Sequence, residues 1–241
     1  MPAVFVNGKK TFIPNSQATA DDIISRSGKK NVDPRTRTPI IVGTGKNVRM
    51  HPGKTYTLHE GDKFKIVPDR VKASGEYTYF GNKEPWRKQV ITEQVAQVSE
   101  GFFKNSKVEL DDDCNWVLFH GFLLPDEWQR ANPGQSFVQM MIIFPDQYPD
   151  LPTNGFYLPS NLTVPLNAAH FYNRGYGGAF GEKPDEMEAM AQGNWKWYCT
   201  HIRPGAWQPA RLRQISDWRN GDNLWDILTI CIDVLTYPLD D

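Results

Sequence analysis

Short runs of alternating apolar and polar side chains occupy the first seventy residues, the pattern of half-buried strands. Val4, Val6, Phe12 and Ile13 flank Asn7-Gly8, a pair that tolerates positive φ at both turn positions, so the chain is expected to open with a β-hairpin. Thr19 ahead of Ala20-Asp21-Asp22-Ile23-Ile24 reads as a helix N-cap with acids in the first turn, and Gly28-Lys29-Lys30 as the end of that short helix. Strand-like pieces follow at 39–42, 54–58 and 63–68, separated by turn formers such as Gly43-Thr44-Gly45 and Gly61-Asp62. Hairpin, helix and further strands make a small α+β unit.

Turn formers at Ser74-Gly75 and Gly81-Asn82 mark residues 71–85 as a connector. Between Trp86 and Phe102 the apolar Val90, Ile91, Val95 and Val98 recur at helical spacing, so the second unit is expected to begin with a helix. Strands are expected at 116–123 and 137–144, joined through Asn132-Pro133-Gly134 as an antiparallel meander. Residues 224–235 are apolar on several sides and long enough for three turns, which predicts a buried helix capped by Asp222.

Composition narrows the function. With 39% hydrophobic residues in 241, one large or two ordinary cores are within reach. Twenty-seven basic against 28 acidic side chains leave a formal charge of -1, so no general field favours nucleic acid or an anionic membrane. The amino terminus lacks a secretory layout and no apolar run spans a bilayer, so a soluble cytoplasmic protein is expected. Cys114, Cys199 and Cys231 are odd in number and widely spaced, which argues against a disulfide framework or a paired-cysteine metal motif. His51, His59 and His120 show no ligand spacing. No cofactor and no metal are therefore expected. Cys231, on an apolar helix face, reads as core, and Cys114, after Asp111-Asp112-Asp113, as a thiol of raised pKa in a solvated turn.

Cys199 is the outstanding chemical candidate. It closes the run Trp195-Lys196-Trp197-Tyr198, has His201 two residues on, and precedes Trp207-Gln208-Pro209 by eight residues. Upstream, an apolar run from Phe137 passes through Phe144-Pro145-Asp146-Gln147-Tyr148-Pro149 into a turn. A free thiol, with pKa about 8.5, is only a few per cent thiolate near neutrality, enough to exchange with an acyl group that arrives already activated. The competing assignment is a buried structural thiol among aromatics, the commoner fate of a free cysteine. Trp195, Trp197 and Tyr198 have no basic stripe beside them and read as packing, and Gly175-Tyr176-Gly177-Gly178 lacks the Lys-Ser or Lys-Thr of a phosphate loop.

Two resemblances rest on these segments. Residues 1–70, with their Val-Asn-Gly-Lys hairpin, resemble the β-grasp fold of ubiquitin-like proteins, except that Val67-Pro68-Asp69-Arg70 runs on into more protein in place of a free Gly-Gly tail. Residues 86–241 resemble ubiquitin-conjugating enzymes in the order helix, meander, Phe-Pro-x-x-Tyr-Pro, Cys, Trp-x-Pro, helix. The fused pair is similar to bacterial proteins of the prokaryotic conjugating-enzyme family E. The resemblance implies that Cys199 forms the thioester, that Trp207 and Pro209 pack behind it, and that Tyr148-Pro149 forms the core turn. It also implies a ubiquitin-activating-enzyme-like partner, a ubiquitin-like modifier and an acceptor.

The chain departs from that family where a His-Pro-Asn motif would stand, for Thr163-Val164-Pro165 occupies the place and the oxyanion asparagine is missing. A glycine-rich insert, 167–194, is a candidate flap, and Asn194, Asn173, His170 or His201 is expected to supply the missing donor. The expected catalytic set is Cys199, His201, Asn194 and His170, with the Cys199 sulfur expected to lie open in a surface groove beside Trp207-Gln208-Pro209. Two rivals stand beside the carrier: a catalytically silent module that only binds ubiquitin-like proteins, and a thiol hydrolase pairing Cys199 with His170 or His201.

Overall fold

A computed structural model describes residues 1–26, 36–42, 47–68, 78–165, 195–200, 202, 203 and 205–236. It is a mixed α+β structure with several sheets and, among the described residues, four helices.

The N-terminal sheet grows from the hairpin β1 (Ala3–Val6) and β2 (Lys9–Phe12), whose turn places Asn7 at φ 49° and Gly8 at φ 82°, the left-handed pair that the Asn-Gly dipeptide supplies. After β3 (Gln17–Thr19), Thr19 caps α1 (Ala20–Ile24). Its hydroxyl accepts from Asp22 N while the Asp22 carboxylate accepts from Thr19 N, a reciprocal capping box. The expected end of that helix at Gly28 lies outside the described residues.

Strands β4 (Arg37–Val42), β5 (Val48–Arg49) and β7 (Lys63–Pro68) complete the sheet in the order β2-β1-β7-β4-β5, and β6 (Thr55–Thr57) pairs with β3 in a separate ribbon. β1 and β7 run parallel at the sheet centre. Val4, Val6, Phe64 and Ile66 bury one sheet face against Ile23 and Ile24 of α1. The opposite face contributes Ile40 and Val67 to the core of the second unit.

That unit starts with α2 (Pro85–Gly101), as the apolar spacing predicts, yet its buried face includes Arg87 and Gln94 beside Ile91, Val95 and Val98. β8 (Val108–Leu110), β9 (Trp116–Leu123), β10 (Phe137–Ile143), β11 (Gly155–Pro159) and β12 (Trp195–Cys199) form an antiparallel meander in sequence order. The short helix α3 (Asp126–Ala131) precedes the Asn132-Pro133-Gly134 turn and is not marked by the apolar pattern, because a single turn carries too few apolar positions. Trp128, its buried anchor, donates to Leu235 O at 2.9 Å.

The last helix, α4 (Leu224–Thr236), is buried along most of its length and packs on both α2 and β7. Its cap is Asn223, not Asp222. Trp225 N donates to Asn223 Oδ1 at 3.0 Å and Asn223 N donates to Asp226 Oδ2 at 3.1 Å, which leaves Asp222 for a different role. Residues 78–84 are tied to the second unit: Gly81 N and Asn82 N donate to Asp146 Oδ1, and Tyr79 and Phe80 pack on the outer sheet face.

Candidate functional site

Cys199 ends β12 opposite Gly155 of β11, and the ladder continues past it, with Thr200 N donating to Asn154 O at 3.0 Å and Thr200 Oγ1 to Thr153 O at 2.9 Å. Close approach is the reason a glycine stands at 155. A Cβ there would lie 2.1 Å from Trp197 Nε1 and 2.5 Å from the Tyr198 carbonyl.

Beyond Thr200 the chain turns at Gly205, where φ is +77°, and delivers Trp207 to the turn after β10. The Trp207 indole donates to Pro149 O at 2.8 Å, and the Tyr148–Pro149 bond is cis. Tyr148 is fully buried between Phe144 and Trp207, with ring centroids 4.9 and 6.5 Å away, and its hydroxyl donates to Gln94 Oε1. Burial, reinforced by Asp226, holds that phenol protonated well above the ordinary tyrosine range. Gln94 Oε1 also accepts from Leu224 N at 3.0 Å, so one side chain of α2 joins the turn to the start of α4.

Arg87 supports the same turn from beneath. Its guanidinium donates to the carbonyls of Cys114, Phe144 and Pro145 at 3.1 to 3.3 Å, and burial lowers its pKa while Asp146 opposes that shift. Asp150, directly after Pro149, pairs with Arg211 through Oδ2, while Oδ1 is buried without a hydrogen-bond partner. Desolvation raises its carboxyl pKa against the pull of Arg211. Asp150 and Gln94 were not singled out in the sequence, since a lone acid after Tyr-Pro and a lone Gln in a helix are unremarkable until tertiary packing puts them at the corner.

Thr163, in the place of the missing His-Pro-Asn motif, is held by Asn132. Its amide donates to Asn132 Oδ1 at 2.7 Å, and Asn132 Nδ2 donates to Thr163 O at 2.8 Å. The structure thus joins Trp207 directly to the Tyr148-Pro149 turn and sets Cys199 beside Gly155 of β11, the strand that follows that turn. His170, Asn194 and His201, with Asn173 and the rest of 167–194, lie outside the described residues.

Two thiol environments correct the sequence expectation. Cys199 is 5% exposed, so its sulfur does not lie open in a surface groove. Cys114 sits in a turn after Asp111 with φ 57°, yet it is 4% exposed, its sulfur 3.7 Å from Thr92 Oγ1, because the turn folds back onto α2. Cys231 is core, as its apolar helix face predicts. Among the described residues no three His, Cys, Asp or Glu side chains converge as a metal would require, and no helix is long and apolar enough to cross a membrane. Comparison with protein-family models, curated proteins and solved structures returns no match to the chain.

Proposed function

We propose that the chain carries a ubiquitin-like modifier as a thioester on Cys199, within a conjugation pathway of the ubiquitin type. The observation that carries this reading is the convergence of two distant motif blocks: β12 pairs through Cys199 with Gly155, and Trp207 closes the following loop on the Pro149 carbonyl. The sheet order β2-β1-β7-β4-β5, with its parallel central pair and α1 packed on one face, supports a β-grasp reading of the N-terminal unit. The sequence of α2, meander, Tyr-Pro corner, Cys199, Trp207 and α4 supports a conjugating-enzyme reading of the rest. Because Pro68 is followed by more protein, the N-terminal unit serves as a docking element for a partner and not as the transferred modifier.

In the proposed reaction the Cys199 thiolate attacks the thioester carbonyl presented by an activating-enzyme-like partner, and the partner's thiolate leaves as the new C–S bond forms. An acceptor amine or hydroxyl then attacks the same carbonyl, gives up its proton and releases the Cys199 thiolate. No oxidation occurs in either step. A buried sulfur has to be uncovered first, so partner binding includes opening of the β12 end.

The burial of Cys199 also favours a second reading, a module of the same architecture that binds ubiquitin-like proteins without carrying them. One experiment separates the two. The full chain is incubated with ATP, the cognate activating enzyme and the modifier, then run on a non-reducing gel. The carrier reading expects an adduct that dithiothreitol removes and that Cys199→Ala abolishes. Modifier binding without any adduct establishes the second reading, and an identical adduct on Cys199→Ala overturns the first.

A further inference from the structure

Arg37 belongs to β4 of the N-terminal sheet, yet its side chain is wholly buried and reaches Asp222, at the corner that follows Trp207. Asp222 clasps that corner from two sides: its Oδ2 accepts from Gln208 N at 2.7 Å, and its own N donates to Gln208 O at 3.1 Å. The fit is close, since a Cβ on Gly221 would lie 2.0 Å from Ala210 N and 2.6 Å from the Pro209 carbonyl carbon. We infer, resting on the carrier reading for its use in the reaction, that Arg37 is a positioning residue: it holds Asp222 on Gln208 and thereby sets how readily the Cys199 end of β12 opens.

The link from the corner to the sulfur runs through the chain between Thr200 and Trp207, which is pinned at both ends to one short stretch, 149–154. At one end Trp207 Nε1 donates to Pro149 O at 2.8 Å. At the other Thr200 N donates to Asn154 O at 3.0 Å and Thr200 Oγ1 to Thr153 O at 2.9 Å, directly beside Cys199. A strap fixed at two points resists peeling far better than one fixed at a single point. Once the Trp207 end is loose, only the Thr200 contacts keep the last residue of β12 in place.

Charge makes Arg37 the controlling member. A buried carboxylate keeps its place only while a cation compensates it. Arg213 also lies within electrostatic reach of Asp222, but it belongs to the corner segment itself and donates to Asn220 O, so it moves with the corner. Arg37 is anchored in a different unit, where β4 pairs with β7 along its length. A partner that docks on the N-terminal sheet and shifts β4 therefore withdraws the compensating charge, loosens Gln208 and frees the strand end that carries the thiol.

Native-state alkylation of the full chain with peptide mapping, in the absence of any partner, tests this. Arg37→Lys keeps the charge but loses the guanidinium nitrogen that reaches Asp222. It is expected to speed Cys199 labelling about fivefold or more, with little dependence on denaturant, while Cys231 labelling stays the same. Arg37→Met with Asp222→Asn removes both charges and keeps an acceptor for Gln208 N, and is expected to return Cys199 to the wild-type rate. Should Arg37→Lys fail to fold, Gln208→Pro, which deletes the N–H that Asp222 accepts, is read in the same way. An unchanged Cys199 rate overturns the inference, as does an equal rise at Cys199 and Cys231 with one steep denaturant slope, the mark of a merely structural role. Selective release of Cys199 in a chain that accepts no modifier sustains the positioning role and removes the carrier reading alone.

Discussion

Arg37 on β4 and Asp222, 185 residues later, form an ion pair with both side chains fully buried, Arg37 Nη1 lying 2.7 and 2.8 Å from the two carboxylate oxygens. Asp222 Oδ2 also accepts from Gln208 N at 2.7 Å, so the residue beside Trp207 is held by a carboxylate that the N-terminal sheet neutralises. The N-terminal unit thus reaches the candidate site through one salt bridge. The pair is imperfect, because Arg37 Nε and Nη2 are buried without hydrogen-bond partners.

Removing one member leaves an uncompensated buried charge, whereas removing both does not. Arg37→Met is expected to destabilise the chain by about 3–5 kcal/mol, and Arg37→Met with Asp222→Leu by less than either substitution alone. Denaturant midpoints of the two single variants and the double variant measure this. Purely additive losses would contradict it.

Gly155→Ala places a methyl group against Trp197 and the Tyr198 carbonyl, and a backbone carbonyl cannot turn aside as a flexible side chain can. The expected cost is at least about 1–3 kcal/mol. The displaced strand end should also expose Cys199, so its alkylation rate rises while that of Cys231 stays the same. Equal rates in variant and wild type would show that the β11–β12 contact does not guard the sulfur.

The three cysteines should react in order of the opening each requires. Cys199 lies at the end of an edge strand, while Cys231 lies inside α4 with no exposure. Native-state alkylation with peptide mapping is expected to label Cys199 through local opening nearly independent of denaturant, and Cys231 only with the steep denaturant dependence of global unfolding. The same steep slope for both would remove the local opening that the proposed thioester exchange requires.

At the other end of the chain, Thr19→Ala removes half of the α1 capping box and should cost about 1 kcal/mol at neutral pH. The backbone and side-chain hydrogen bonds of Thr19 hold the Asp22 carboxyl below its ordinary pKa. A depressed carboxyl stabilises the fold above the pKa of the unfolded chain, about 3.9, and loses that effect as pH falls. The stability gap between wild type and variant should therefore narrow below about pH 4. Thermal melts at pH 7 and pH 3 show whether it does.

Local codes were readable wherever neighbours in the chain settle the structure. Asn7-Gly8 dictates its own turn through φ, Thr19 and Asp22 cap α1 across three residues, and Val90, Ile91, Val95 and Val98 mark a helix by spacing alone. Where two residues compete for one role the local code misleads: Asp222 reads as a cap, yet Asn223 holds that position because Arg37 claims the Asp222 carboxylate. β12 carries no such local mark, because a five-residue aromatic run has no diagnostic period.

Turn chemistry, capping and apolar period, all set within a few residues, belong to the sequence itself, and so does the spacing that singles out Cys199. Which polar groups meet was decided by tertiary structure alone: Gln94 with Tyr148, Trp207 with Pro149, Arg37 with Asp222, and Lys65 with the Trp225 ring. The exposure of a thiol belongs to that second class, since Cys199 is buried by strands and loops whose partners lie far off in the chain. Burial is a sum over distant neighbours, and no local run of residues encodes it.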